Sequence, residues 1–374
     1  MSVALVFLIL RIFFDEKISA VCALLFALHP LQVESVSWIS GRKDLLASAF
    51  FLGSTYTYLQ WKNDAQKKVL SVGLFACGLL SKVSIFPLPL ALLLFDYLRG
   101  EKLSASHLKE KVPYFGLSLV FLVIAIIGKK TQVADPFSSI ILSPAAFLLT
   151  VKHVLLPSGL SIFYPFVSEV SLGHQLVVSG LVLIITLGVS CLISYKRTRS
   201  VIFCVLWFGI LLTPSLVNMQ RGGELSIPDL YLTSDRYAYL ALLGPVFLVG
   251  FLLQKTSWKL PLLIIAVFGC ITIAQQGYWN NSSALFGRVV DTNQPSHVAY
   301  TNLGGFAVQA GNIEGAETLF EEALSARRTT RALFNLAQIK AHLGKTEDAI
   351  KLYEELLLLT PDDKSARNKL QKLL

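Results

Sequence analysis

Four short stretches hold most of the polar groups in this 374-residue chain that could do chemistry. The first is ALHPLQVESVSWISGRKDLL, residues 27–46, with His29, Pro30, Glu34, Trp38, Arg42, Lys43 and Asp44. Glu34, Trp38 and Arg42 are spaced i, i+4, i+8, so they share a face if the stretch is helical. A carboxylate flanked by cations could grip a phosphate and a sugar. The same types also suit a membrane boundary, with Trp38 as anchor, Arg42 and Lys43 reaching to head groups and Asp44 capping the next helix.

The second stretch is Leu80-Ser81-Lys82-Val83, a cation in a tight turn between apolar segments. Lys82 suits either a phosphate contact or snorkelling to the interface. The third is Lys152-His153, followed by Pro157 and Phe163-Tyr164-Pro165, where amphipathic packing competes with a ligand role. The fourth is SDRYAYL, residues 234–240. Asp235 beside Arg236 fits a structural ion pair or helix cap, or an arginine held by a carboxylate to receive phosphate. No GxSxG, HExxH, Walker loop or Rossmann fingerprint occurs, which leaves soluble-enzyme chemistries without support.

The elements that position these groups follow from composition. The chain is 54% hydrophobic and 15% charged, with mean hydropathy +0.61. Soluble domains carry about a quarter charged residues. Repeated apolar runs near the ~20-residue spanning length indicate a polytopic membrane protein. Candidate spans lie at 1–14, 18–30, 44–60, 68–81, 84–98, 112–128, 174–194, 200–217, 237–253 and 258–275, ten in all. The segment 139–166 is interrupted by Pro144, Pro157 and Pro165 and is expected to lie at the interface or to re-enter.

Net charge is +9, which in this class reflects basic cytoplasmic loops rather than nucleic-acid binding. One set of loops holds Arg11, Lys17, Lys62, Lys67, Lys68, Arg99, Lys102, Lys109, Lys111, Lys196, Arg197, Arg199, Lys255 and Lys259. The opposite set has longer loops but only Arg42, Lys43, Lys82, Lys129, Lys130, Lys152, Arg221 and Arg236. The first set is therefore expected in the cytoplasm, and all four polar stretches outside it. The cysteines Cys22, Cys77, Cys191, Cys204 and Cys270 are scattered singly in apolar segments, without metal-ligand or disulfide spacing. No cofactor is indicated, and the requirement for a divalent metal stays open.

After about residue 276 the chain turns polar and repeats itself. Asn302-Leu303-Gly304, Gly311, Ala316 and Phe320 recur 33 residues later as Asn335-Leu336-Ala337, Gly344, Ala349 and Tyr353. Small residues let paired helices approach, the aromatics fill the space between hairpins, and each glycine ends a first helix. This period and pattern resemble tetratricopeptide (TPR) repeats. The expected fold class is all-α: a polytopic membrane helical domain, 1–276, followed by a short TPR α-solenoid, 277–374, of about two and a half repeats with residues 362–374 as a capping helix.

The order LHPLQVESVSWISGRKDLL, LLSKVSIFPLPLALLLFDYLRG, LLPSGLSIFYPF, SDRYAYL and a Tyr278-Trp279-Asn280 linker into repeats spans essentially the whole chain. It resembles the transmembrane and TPR-containing O-mannosyltransferases and their bacterial relatives, glycosyltransferases of the GT-C class. The resemblance implies a GT-C-like membrane domain in a bacterial inner membrane or ER membrane. It also implies transfer of a sugar, mannose in that family, from a polyprenyl-phosphate carrier to a protein Ser or Thr hydroxyl outside the cytoplasm, the repeats engaging the acceptor. Carried over by motif, His29, Arg42, Lys43 and Asp44 would line the site with Glu34. Lys82 and Arg236 would contact the carrier phosphate, and Asp235 would orient Arg236. The family also implies an acidic residue in a first external loop, whereas this chain begins at what resembles the second span. The expectation is therefore a fragment or an inactive relative, with Glu34 as the best remaining candidate for a catalytic carboxylate. A lipid-linked glycan polymerase or ligase, and a membrane-anchored TPR adaptor without activity, stand as alternatives.

Overall fold

The computed structural model describes residues 1–60, 64–102, 104–128, 136–166, 168–216, 220–222, 229–292 and 296–374, with backbone alone at 106, 136, 220–222 and 229. Lys62, Lys129 and Lys130, and the side chain of Arg221, fall outside the described residues. The chain forms two compact units. One comprises Met1–Leu160, Glu169–Met219 and Leu232–Gln276; the other comprises Ser161–Ser168, Gln220–Tyr231 and Gly277–Leu374.

The first unit begins with α1 (Ser2–Leu10), α2 (Glu16–Leu28) and the short α3 (Gln32–Ser37), then α4 (Arg42–Leu59) and α5 (Ala65–Ser81). It continues through α6 (Leu88–Arg99), α7 (Ala105–Gly128), α8 (Pro136–Leu155), α9 (Gln175–Ser194) and α10 (Arg199–Leu216). It ends with α11 (Ala238–Ala241), α12 (Leu243–Leu253) and α13 (Lys259–Gly277). Local sequence sets several of the ends. The Asp15 carboxylate accepts from the Ile18 amide at 2.8 Å to start α2, and Asp64 accepts from Gln66 and Lys67 to start α5. Gly100, at φ 85°, closes α6.

The stretch through Glu34, Trp38 and Arg42 is not one helix, so the i, i+4, i+8 spacing does not set a shared face. Trp38 takes extended backbone, a single 3-10 turn Ile39–Gly41 follows, and α4 starts afresh at Arg42. The reason is local: Gln32 to Ser37 make little more than one turn, and Gly41 favours a new start over propagation.

Among the described residues five helices are long and apolar enough to cross a membrane: His107–Gly128, Phe137–Leu155, Gln175–Ser194, Arg199–Leu216 and Lys259–Gly277. The pair Asp235–Ala241 and Leu243–Leu253, bent by 46°, makes a sixth if it is one span. This compares with the ten segments expected. Helices α1, α2, α5 and α6 have 9, 13, 17 and 12 residues, short of the ~20 needed to span. Helix α4 has 18 residues but opens with Arg42, Lys43 and Asp44. The proline-bearing 139–166 segment is helical as far as Leu155, with Pro144 inside the helix, and that helix is one of the five. The membrane-capable helices expose apolar side chains such as Ile127, Leu192 and Ile273 outward, as lipid contact requires. The protein is an integral membrane protein.

The core of this unit is aromatic. Phe95 stands within 5.8 Å, centroid to centroid, of Phe13, Phe203, Trp207 and Phe247. Gly244 lets α12 lie on α10, since a Cβ there would sit 2.7 Å from the Cys204 carbonyl oxygen. The Trp207 indole N–H donates to the Leu240 carbonyl at 3.0 Å, fixing the turn that carries SDRYAYL.

The second unit holds α14 (Ser282–Asp291), α15 (His297–Gln309), α16 (Ile313–Ala326), α17 (Thr330–His342), α18 (Thr346–Leu359) and α19 (Lys364–Gln371). Asn281, Ser296, Asn312, Thr329 and Asp363 each cap the helix that follows. Gly311 and Gly344, at φ 77° and 75°, occupy the left-handed positions expected of them at the ends of α15 and α17. Phe320 and Tyr353 are buried, Phe320 against Gly304 and Tyr353 against Phe334, each within its own hairpin. A small antiparallel sheet departs from the all-α expectation only locally. β1 (Pro165–Phe166) and β2 (Gln220–Gly222) flank β3 (Asp229–Tyr231), with Phe166 opposite Leu230 and Arg221 opposite Leu230 on its other edge.

Candidate active site

The site grows from one arginine. Arg236 lies on the 3-10 turn Asp235–Tyr237 that leads into α11. Its Nη1 bonds the Glu34 Oε1, and its backbone N–H donates to Glu34 Oε2 at 3.0 Å. Nη2 donates to the Tyr237 hydroxyl at 3.3 Å, and the guanidinium stands 4.7 Å from the Trp38 ring and 4.8 Å from the Tyr237 ring. The sequence expectation gave Asp235 the task of orienting Arg236. Glu34, on α3, is the carboxylate bonded to the guanidinium, while Asp235 faces His153, Oδ1 to Nδ1, at 3.4 Å. Adjacent residues on a 3-10 turn project in different directions, so neighbours in sequence are poor partners in space. Both oxygens of Glu34 accept from Arg236. Burial pushes the Glu34 carboxyl up to about 7, against the pull of the Arg236 charge and hydrogen bonds.

A second cation arrives from the turn between α5 and α6. Lys82 pairs with Asp44 Oδ1 in the first turn of α4, and its ammonium lies 5.2 Å from the Tyr237 ring. Burial pulls the Lys82 ammonium down, while Asp44 opposes that shift. The Tyr237 ring is thus touched by both cations. Asp44, Lys82, Arg236 and Tyr237 border a cavity of about 120 Å³, together with Ser48, Ser84 and Ser215. Arg42 and Lys43 are exposed, two residues and one residue before Asp44.

His29 takes a different place. It caps α2, accepts from the Leu31 amide through Nδ1 at 3.2 Å and meets the Val154 carbonyl through Nε2 at 3.0 Å. Nε2 joins α2 to the end of α8, while Nδ1 closes the turn after α2. The ring also packs edge-on against Phe268 at 4.7 Å. Lys152 is exposed, whereas its neighbour His153 is buried against Asp235.

A further buried cluster was not read from the sequence. Lys111, counted there among loop cations, is fully buried and bonded to Asp96. The Tyr58 hydroxyl is shared between both Asp96 oxygens at 2.8 and 2.9 Å, and the Lys111 ammonium lies 5.0 Å from the Tyr58 ring. The pair joins α6 to α7. The signal was the lone Asp96 within the apolar run LLLFDYLRG, since an acid there requires a buried partner.

Comparison with known proteins agrees with the motifs. Residues 1–127 match the family described as dolichyl-phosphate-mannose-protein mannosyltransferase, and residues 307–374 match the tetratricopeptide repeat. The chain is 24% identical over 402 residues to protein O-mannosyl-transferase TMTC3 of Mus musculus, covering 94% of this chain and 44% of that protein. It is 24% identical to the Homo sapiens TMTC3 over 414 residues, covering 96% of this chain and 45% of that protein. The chain thus spans less than half the length of these relatives. Residues 1–127 are thus similar to a mannosyltransferase family and residues 307–374 to TPR repeats, in the same order as in the family that its motifs resemble.

Proposed function

We propose that the chain moves a sugar, mannose by its relatives, from a polyprenyl-phosphate carrier to a protein Ser or Thr hydroxyl on the extracytoplasmic face of a membrane. The observation that carries this proposal is the approach of Arg236 and Lys82 to one ring, that of Tyr237, at 4.8 and 5.2 Å, beside a polar cavity. Two cations that are each held by a carboxylate suit a single phosphodiester that bears a lipid on one side and a sugar on the other. A guanidinium has five N–H donors, so Arg236 keeps donors for phosphate after bonding Glu34 and Tyr237.

In the reaction the acceptor hydroxyl oxygen attacks the anomeric carbon, the carbon–oxygen bond to phosphate breaks with its electron pair staying on the phosphate, and the hydroxyl proton passes to the departing phosphate. Arg236 and Lys82 would stabilise the charge that collects there. Glu34 serves as a positioning residue for Arg236, with Trp38 and Tyr237 completing its cradle. Asp235 and His29 act one step back: the first fixes the 3-10 turn through His153, and the second fixes α2 on α8. Exposed Arg42 and Lys43 would draw the anionic head group inward. The setting would be a bacterial inner membrane or the ER membrane. TPR repeats are protein-binding modules, and here they would hold the acceptor.

The test is transfer of labelled mannose from polyprenyl-phosphate mannose to Ser- and Thr-containing peptides by the chain in proteoliposomes. Labelled peptide, lost on Lys82→Met, is the expected result. Lipid-dependent transfer to a glycan but never to peptide would favour the polymerase or ligase alternative. No transfer to any acceptor would favour the adaptor.

A further inference from the structure

Asp44 has a property that the phosphate-binding role leaves unused. Its Oδ1 is bonded to Lys82, but its Oδ2 is buried and has no hydrogen-bond partner among the described residues. The side chain is 11% exposed and borders the cavity shared with Ser48, Ser84, Lys82, Arg236 and Tyr237. A buried carboxylate oxygen without a donor is costly, and a native structure keeps one where a donor is meant to arrive. That donor must be an O–H or N–H group small enough for the space. The cavity, of about 120 Å³, is large enough to admit water or a polar group of a ligand beside Asp44. Its lining is mixed, with Ser48, Ser84 and the charged groups alongside apolar Ile85, Leu211 and Leu240.

We propose that this cavity is the sugar pocket of the donor and that Asp44 reads the sugar, its Oδ2 accepting from a ring hydroxyl while its Oδ1 holds Lys82 at the phosphate. The inference rests on the donor named above and adds the residue that distinguishes a sugar-bearing carrier from a bare one. Asp44 is thereby a specificity-determining residue and not the proton acceptor of the transfer. No covalent step is assigned to it.

The test compares binding of two probes, polyprenyl-phosphate mannose and sugar-free polyprenyl phosphate, to the full chain in nanodiscs. Wild type is expected to prefer the mannose-bearing lipid. Asp44→Asn is expected to weaken that lipid roughly ten- to a hundredfold, the range of a lost hydrogen bond to a charged group. Its affinity for the bare lipid should fall by less, because there only the positioning of Lys82 is lost. Asp44→Glu keeps the charge and the lysine pair but pushes a methylene into the cavity, and it should lose the preference as well. Equal weakening of both lipids by Asp44→Asn, or an undiminished preference in both variants, would overturn the sugar-reading role while leaving phosphate binding intact. Wild type that binds neither lipid would overturn the donor assignment itself.

Discussion

Glu34 and Arg236 lie 202 residues apart and meet through two contacts, guanidinium to one oxygen and backbone N–H to the other. The relationship ties the short helix α3 to the turn before α11, and both ends of it are nearly buried. Removing one partner of a buried ion pair leaves an uncompensated charge and costs about 3–5 kcal/mol, whereas replacing both with apolar groups is often neutral. Glu34→Ala should therefore lower the thermal unfolding midpoint in detergent more than the double change Glu34→Leu with Arg236→Met. A double variant less stable than Glu34→Ala would show that the pair contributes net stability of its own.

The pH response of Glu34 has a definite sign. Its carboxyl is raised from 4.5 to about 7 by burial, so the folded state keeps a proton that the unfolded chain releases. The stabilisation that this provides is complete below 4.5 and is lost as pH rises through about 7. Unfolding midpoints measured across that window should fall with pH in the wild type by more than in Glu34→Gln. A steeper rise with pH in the wild type would mean that attraction to Arg236 outweighs burial.

The Asp96, Lys111 and Tyr58 cluster predicts a graded series. Tyr58→Phe removes the hydroxyl bonded to both Asp96 oxygens and should cost about 1.5–3 kcal/mol, as for hydrogen bonds to charged groups. Lys111→Met leaves Asp96 buried and unpaired and should cost more. Denaturation of the detergent-solubilised chain reads both, and equal effects would contradict the ion pair as the dominant element.

In the repeats, a Cβ at Gly304 would stand 2.6–2.9 Å from atoms of the buried Phe320 ring. Gly304→Val should overpack the α15 and α16 contact by about 1–3 kcal/mol. Limited proteolysis of the full chain should then cut the C-terminal repeats faster than in the wild type. Unchanged cleavage would show that the ring can move aside.

Much of this was legible in the sequence, for stated physical reasons. Gly304, Gly311, Phe320 and their copies 33 residues on announce helical hairpins because each position has a size or backbone requirement that few residues meet. Glu34, Asp44, Lys82 and Arg236 stood out because polar groups in an apolar chain need a reason. Their pairing was not legible. Sequence adjacency suggested Asp235 for Arg236, whereas the carboxylate bonded to the guanidinium is Glu34, from a helix that breaks at Trp38. Lys111 was read as a solvated loop cation, since counting charges per loop does not register which of them a buried Asp96 recruits.

The central claim is that Lys82 and Arg236 together hold the phosphate of a polyprenyl carrier. Its most direct measurement is the affinity of sugar-free polyprenyl phosphate for the wild-type chain, Lys82→Met and Arg236→Met in nanodiscs. Each variant should bind roughly tenfold or more weakly, with a shallower dependence on salt than the wild type. Affinity and salt dependence unchanged in both variants would contradict the account.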